Sequence, residues 1–436
     1  VLNILGAYHF ERVFPVDPKT EKRTREAGMH LWYIVRFDKD ADLKEAVRQL
    51  RKLGEISKIQ SNPTLQRAYD PKKKTLYLSA SDLQHVTRTS EGLTFNDPGL
   101  KHQWHYRNAG NYDFVKKDRA EAIAGADVNC GEAWELCKGD PSIIVAVLDE
   151  GVMWSHPDLI ANMWTNEAEE IGSTEDKDGN GYKGDRYGYN FVKNTGVISW
   201  TSADDTGHGT HVAGTIAAEN GNSIGVSGIA GGDGNTGSGV KIMTCQLFDG
   251  QYGATLAAEA KAIKYAADNG AVVLQCSWGY NSPDANEALG YVPGPKNEQD
   301  WENQYPLEKE ALDYFIHNAG SPNGVIDGGL AIFASGNEYA PSSSFPAGYS
   351  KCISVSAIAA DYTPSSYTNY GAEITLCAPG GDGDYYGTPG VADDEFAWEG
   401  KTQGLILSTA IKNGQYAYAY MEGTSMACPH VSGVAA

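Results

Sequence analysis

Hydrophobic and polar positions change rhythm along this 436-residue chain, and the change divides it. Residues up to about Glu26 show little periodicity and read as an irregular extension or edge strand. From Met29 to Phe37 the run Leu-Trp-Tyr-Ile-Val-Arg-Phe predicts a strand. Asp40 then stands where it can cap a helix with apolar positions Leu43, Val47, Leu50 and Leu53, closed by Gly54. A shorter strand-like run passes through Ile56 and Ile59 before Asn62-Pro63. The polar stretch Asp70 to Asp97, with Lys72-Lys73-Lys74 and an alternating Leu76/Leu78, reads as a last strand plus linker. These elements predict a small α+β module over residues 1–98.

After Asp97-Pro98-Gly99 the pattern differs. Trp134 and Leu136 suit a helix before Gly139-Asp140-Pro141. Ile143 to Leu148 is continuously apolar, as are Val240 to Phe248, Ala271 to Ser277 and Leu330 to Ala334, which marks strands buried on both faces. Leu256, Ala260, Ile263 and Ala267 give a helical stripe closed by Gly270, and Leu312, Phe315 and Ile316 give another closed by Gly320. Strand alternating with helix predicts an α/β fold over residues 99–436, a doubly wound parallel sheet with function at the C-terminal ends of its strands. Asn281 to Glu308 and Gly380 to Gln403, rich in Gly, Pro and acids, read as surface loops.

Composition adds limits. With 41% hydrophobic residues the chain can bury a large core, and its length suits two domains. A net charge of −21 argues against nucleic acid and anionic lipid as partners. The charge is uneven: 17 Lys/Arg face 13 Asp/Glu before Gly99, against 18 and 43 afterwards. Seven cysteines form no CxxC pair, and Cys245, Cys276, Cys352 and Cys377 read as small core hydrophobes. No apolar run approaches transmembrane length, and the chain opens at Val1 without a signal-peptide pattern.

The predicted strand ends carry chemistry-bearing residues: Asp149, then Ser277-Trp278-Gly279, then Ser335-Gly336-Asn337. Asp204 to Gly214 opens a helix with glycines on either side of His208. Gly423 to His430 places Ser425 at the mouth of another, with Pro429 expected in its first turn. Gly-Thr-Ser before a helix is more often an ordinary cap than a nucleophile. An aspartate and a histidine at two other element ends make a triad available, with Ser425 attacking, His208 taking its proton and Asp149 orienting the imidazole.

Three segments, Val147 to Gly151, Gly207 to Gly214 and Gly423 to His430, match in order the signatures of the subtilisin-like serine proteases, which the chain resembles from about Pro98 to Ala436. The resemblance implies a subtilisin-like sheet and peptide-bond hydrolysis through an acyl-enzyme, with Asn337 donating to the oxyanion. It implies a substrate edge at Ser277, Trp278 and Gly279 and a P1 pocket lined by Ala334, Ser335 and Gly336; Trp278 either packs on substrate or shields the sheet. It assigns structural roles to His156, His211 and His430. The other histidines, His9, His30, His85, His102, His105 and His317, read as surface or boundary residues.

Asp176, Asp178, Asn180, Tyr182 and Asp185 place oxygen ligands at calcium-loop spacing, although Tyr187 stands where an EF-hand loop has its bidentate glutamate. Such a loop also forms without metal. The resemblance adds a second Ca2+ site at Asp158, Asn222, Ile224 and Val226. It further implies that the front module is a small α+β (ferredoxin-like) propeptide, an intramolecular inhibitor of a latent, secreted or cell-surface precursor that acts on proteins or peptides. An inactive peptide-binding scaffold and an acyl transferase are the alternatives. Two features depart from the pattern: Glu150 follows the triad aspartate in place of the usual Ser or Thr, and the chain ends at Ala436 where family members continue, which implies a C-terminal truncation.

Overall fold

Continuous apolar runs alternate their side chains between two cores, and this makes the centre of the molecule a doubly wound sheet. The computed structural model describes residues 9–37, 41–66, 75–78, 83, 94–111, 122–320, 325–383 and 404–436. At the front, β1 (His9–Arg12) pairs antiparallel with β2 (Tyr33–Arg36), and between them lies α1 (Glu21–Glu26). A 3-10 turn, Met29–Leu31, occupies the start of the predicted strand. Helix α2 (Leu43–Leu50) is capped by the Asp42 side chain, which accepts from the Glu45 N–H; Asp40 lies outside the described residues.

Two expectations for the module fail. Ile56 and Ile59 form no strand and instead pack irregularly with Ala46 and Leu50 of α2. Strand β3 (Leu76–Leu78) is not the module's last strand, because it pairs with residues 418–420 of the second half. Among the described residues the module is therefore a two-stranded sheet with short helices, without the four strands of a ferredoxin-like domain.

The second half carries α3 (Cys130–Leu136), β4 (Ile144–Glu150), β5 (Gly188–Asn190), α4 (His208–Ala217), β6 (Lys241–Asp249), β7 (Tyr252–Gly253), α5 (Leu256–Asp268) and β8 (Val273–Cys276). It continues through α6 (Glu298–Gln304), α7 (Pro306–Asn318), β9 (Leu330–Ala334), β10 (Ile353–Ile358), β11 (Leu376–Pro379), β12 (Ile406–Lys412), β13 (Gln415–Met421) and α8 (Thr424–Ala435). The sheet runs β11-β10-β9-β8-β4-β6-β5 with every pair along that path parallel, and β7 folds back on β6. Ala146 and Leu148 face α5 and α7, whereas Val145 and Val147 face α4 and α8. This two-faced burial is why those runs lack polar alternation. A smaller antiparallel sheet, β12-β13-β3, closes through Asn413-Gly414, both at positive φ as a tight hairpin requires.

The stretch from Asn281 to Glu308 is no simple surface loop. It contains α6, whose Trp301 is fully buried against Phe345 and Tyr349. Beyond Gly383, the second predicted loop lies outside the described residues up to residue 404. All seven cysteines are free; Cys377 is exposed because β11 is the sheet's edge strand.

Candidate active site

The C-terminal end of β4 delivers Asp149, buried, and the first residue of α4 is His208. His208 Nδ1 lies 2.8 and 2.9 Å from the two Asp149 carboxylate oxygens. One Asp149 oxygen also accepts from the Glu150 N–H at 2.6 Å, which fixes the carboxylate plane.

Ser425 enters from α8. Gly423 precedes the helix at φ +146, a region where a side chain is strained. Pro429 lies inside α8 rather than in its first turn. Having no N–H, it leaves the carbonyl four residues earlier, that of Ser425, without its helical donor. Ser277 takes that place, its Oγ donating to the Ser425 carbonyl at 2.8 Å. The Ser425 hydroxyl in turn donates to the Ser277 carbonyl at 3.3 Å, so nucleophile candidate and strand edge are bonded twice. At the same mouth, Asn337 Oδ1 accepts from both the N–H and the hydroxyl of Thr424 at 2.9 Å.

The expected substrate-contact residues divide. Ser277, Trp278 and Gly279 follow β8 directly, and Tyr280 N–H donates to the Phe345 carbonyl. Trp278 is buried edge-on against Phe333, which favours the shielding role, although its indole N–H has no partner among the described residues. Ala334 ends β9 and Ser335 and Gly336 follow it; the Ser335 carbonyl accepts from Ser344 N–H and Asn369 Nδ2, and its hydroxyl contacts Ser356.

Glu150 is buried rather than turned to solvent, and its carboxylate accepts from Thr206 N–H, Thr206 Oγ1 and His208 N–H. His156, His211 and His430 are buried with backbone-carbonyl partners, and burial pushes their imidazoles down to about 4, 3 and 4. His102 and His105 are not boundary residues: both are buried, and His105 Nδ1 lies 2.7 Å from His430 Nε2. Cys428, three residues past Ser425, is buried, and burial pushes its thiol up to about 12.

The calcium-loop residues gather in part. Asp176 and Asp178 join Glu169, which the spacing did not suggest, with oxygens of all three within 4.8 Å of one another. Asp185 lies outside that trio but is linked to Asp178 through Asn166 Nδ2, is held also by Asn180 and the Tyr265 hydroxyl, and is raised by burial to about 6. Asn180 Oδ1 accepts from the Tyr182 N–H, and the Tyr182 ring packs among Tyr189, Phe191 and Tyr265. Three clustered carboxylates are a donor set that fits a hard cation such as Ca2+. At the second place, Asp158 accepts from Asn222 Nδ2 and Val226 N–H, and Ile224 N–H donates to Asn222 Oδ1. Asp97, left to the linker by its sequence position, lies alongside, bonded to Gly221, Ser223 and Ser227. Burial first, then Asp97 and Glu219, pushes the Asp158 carboxyl far up, and both its oxygens already accept N–H bonds that a cation would have to displace.

Comparison with known proteins follows the same geometry. The subtilase family (peptidase S8) profile matches residues 140–436. The chain is 30% identical over 304 residues to a thermophilic serine proteinase of Bacillus sp. (strain AK1), covering 70% of this chain and 54% of that protein. It is 28% identical over 415 residues to an extracellular protease of Xanthomonas campestris pv. campestris, covering 92% of this chain and 56% of that one. It thus spans about half the length of these relatives. A solved structure described as proteases from Pseudoalteromonas arctica PAMC 21717 superposes with a TM-score of 0.52 at 23% identity, covering 79% of this chain and 86% of that one, a likeness of fold.

Proposed function

The chain belongs to the subtilase family, and on that premise we propose that it is a serine endopeptidase that cleaves proteins or peptides through an acyl-enzyme on Ser425. The observation that carries this reading is the two-oxygen approach of Asp149 to His208 Nδ1. With Nδ1 donating to Asp149, the His208 lone pair is on Nε2, where it accepts the Ser425 proton as Oγ attacks the substrate carbonyl. The same proton passes to the leaving amine, and water repeats the sequence to free the acid. Asn337, its Oδ1 held by Thr424, offers Nδ2 to the oxyanion beside the Ser425 N–H.

The front module is read as a propeptide that keeps the chain latent. Its segment 60–65 caps the first turns of α5 and α7: Gln60 Oε1 accepts from Leu307 N–H, Asn62 Oδ1 from Ala257 N–H, and the Pro63 carbonyl from Leu256 N–H. The charge contrast between module and body favours this docking. Calcium would be held by Glu169, Asp176 and Asp178, with Asn180, Tyr182 and Asp185 in the same loop, and by Asp158, Asn222, Ile224 and Val226; bound there it pins loops and takes no part in the chemistry. Secretion or display at the cell surface is supported by the Xanthomonas relative, named an extracellular protease.

The test compares wild type with Ser425→Ala on an unfolded protein substrate. Wild type is expected to hydrolyse it and to release its own front module, and Ser425→Ala to do neither; equal rates would reject the reading.

A further inference from the structure

Asp149 and Glu150 are adjacent in a strand, where successive side chains normally point to opposite faces. Here the β4–β6 pairing slips between them: Asp149 stands opposite Gln246 and Glu150 opposite Phe248. Such irregularities re-aim side chains, and both carboxylates reach α4. That helix cannot cap itself, because Gly207 precedes it at φ +75 without a side chain. Glu150 supplies the nearer acceptor, at 3.1 Å from His208 N–H against 3.3 Å for Thr206 Oγ1, and lies 3.0 Å from both Thr206 N–H and Thr206 Oγ1. A carboxylate at this end also meets the positive end of the helix dipole. The approach is close: a Cβ on Gly209 would lie 2.3 Å from the Glu150 carbonyl oxygen.

We infer that Glu150 is a positioning residue for the His208 base, clamping the backbone of α4 at the point where Asp149 holds the ring. The inference rests on the endopeptidase reading of His208. Consecutive residues of one strand thus hold His208 at two points, its backbone N–H and its ring Nδ1. Glu150 also brings a second negative charge to the site. Among the described residues, the titratable groups around it include Asp149 on β4, His208 and His211 on α4, Asp205 in the preceding loop, where it accepts from Ser202 and Gly250 N–H, and Tyr77 on β3.

The experiment uses the full chain and measures kcat, KM, the pH dependence of kcat/KM and Tm for wild type, Glu150→Ala and Glu150→Gln. Glu150→Ala is expected to lower kcat by roughly ten- to a hundredfold, as slight misplacement of a catalytic group does, with KM within about twofold. Glu150→Gln keeps an acceptor oxygen and is expected to regain most of kcat. Its acid limb should move down by roughly half a pH unit, because a charge favouring imidazolium is gone. Unchanged kcat and an unmoved acid limb in both variants would overturn the inference while leaving the endopeptidase reading intact. Should Glu150→Ala fail to fold, the acid limb of Glu150→Gln decides alone. A wild type without hydrolytic activity would overturn both.

Discussion

The body and the front module are parts of one chain held together by different means. In the body, the central strands β4, β6, β8 and β9 are covered on two faces, and the site residues sit at element ends whose positions that packing dictates. The module has a small cluster of its own around Ala46 and Leu50, buries Val13, Phe14, Met29 and Leu65 in the body's core, and adds separate polar links to α5 and α7. These include Arg23 to Asp268, Trp32 Nε1 to Glu310, Lys58 to Glu310, and the capping contacts of segment 60–65. The difference teaches that the geometry needed for chemistry is built wholly into the central core, whereas the module joins that core at a few apolar side chains and is otherwise held by separate polar bonds. Partly exposed ion pairs of this kind are individually weak.

The largest expected effect belongs to the body alone. Asn337→Ala should reduce kcat by roughly 10²- to 10³-fold, the usual loss for one oxyanion donor. Attachment of the module should not change. Steady-state kinetics and the module's resistance to release check both halves, and an unaltered kcat would remove Asn337 from the site. Chelation comes next. Exhaustive EGTA treatment should lower Tm by several degrees, because an ion at about a hundred times its Kd contributes about 3 kcal/mol. An unchanged Tm would dismiss both calcium sites.

A third prediction concerns the layer where body and module meet. Glu259 of α5 and Glu308 of α7 are both fully buried, and Glu308 accepts from Trp301 Nε1 and the Tyr280 hydroxyl. Burial pushes the Glu308 carboxyl up to about 7 and that of Glu259 well above its usual range. A carboxyl raised on folding contributes stability that is complete below its unfolded value, near 4.5, and lost as pH rises through the folded one. Wild type should therefore lose stability relative to Glu308→Gln as pH rises from about 4.5 to 7. Parallel Tm curves across that range would contradict the assignment. The smallest effect is Arg23→Ala, which should loosen the module by about 1 kcal/mol or less while leaving the body's Tm unmoved. A cooperative loss of both would erase the contrast.

The two regions were also unequally legible from sequence. The body's buried strands showed because parallel strands covered on both faces are uninterrupted apolar runs, and the motifs marked Asp149, His208 and Ser425 without any structure. What stayed hidden depended on contacts distant in the chain. Glu169 comes 7 residues before Asp176 and meets it only through the loop's fold, and Asp97 reaches residues 221–227 from what reads as a linker. Trp301 lies in a polar insert whose composition masks one short buried helix. Leu76 and Leu78 alternate as a strand should, but alternation does not name the partner, and β13 proved to be that partner. Pro429 was misplaced by one turn because the compensating donor, Ser277 Oγ, comes from another strand end.

The central claim is that Ser425 is a nucleophile activated by His208. Its most direct test is intact and peptide mass spectrometry of the full chain after exposure to a fluorophosphonate. The account predicts one covalent adduct, mapped to Ser425, that fails to form in His208→Ala. No adduct on freed or full-length wild type, or one that maps elsewhere or survives loss of His208, would contradict it.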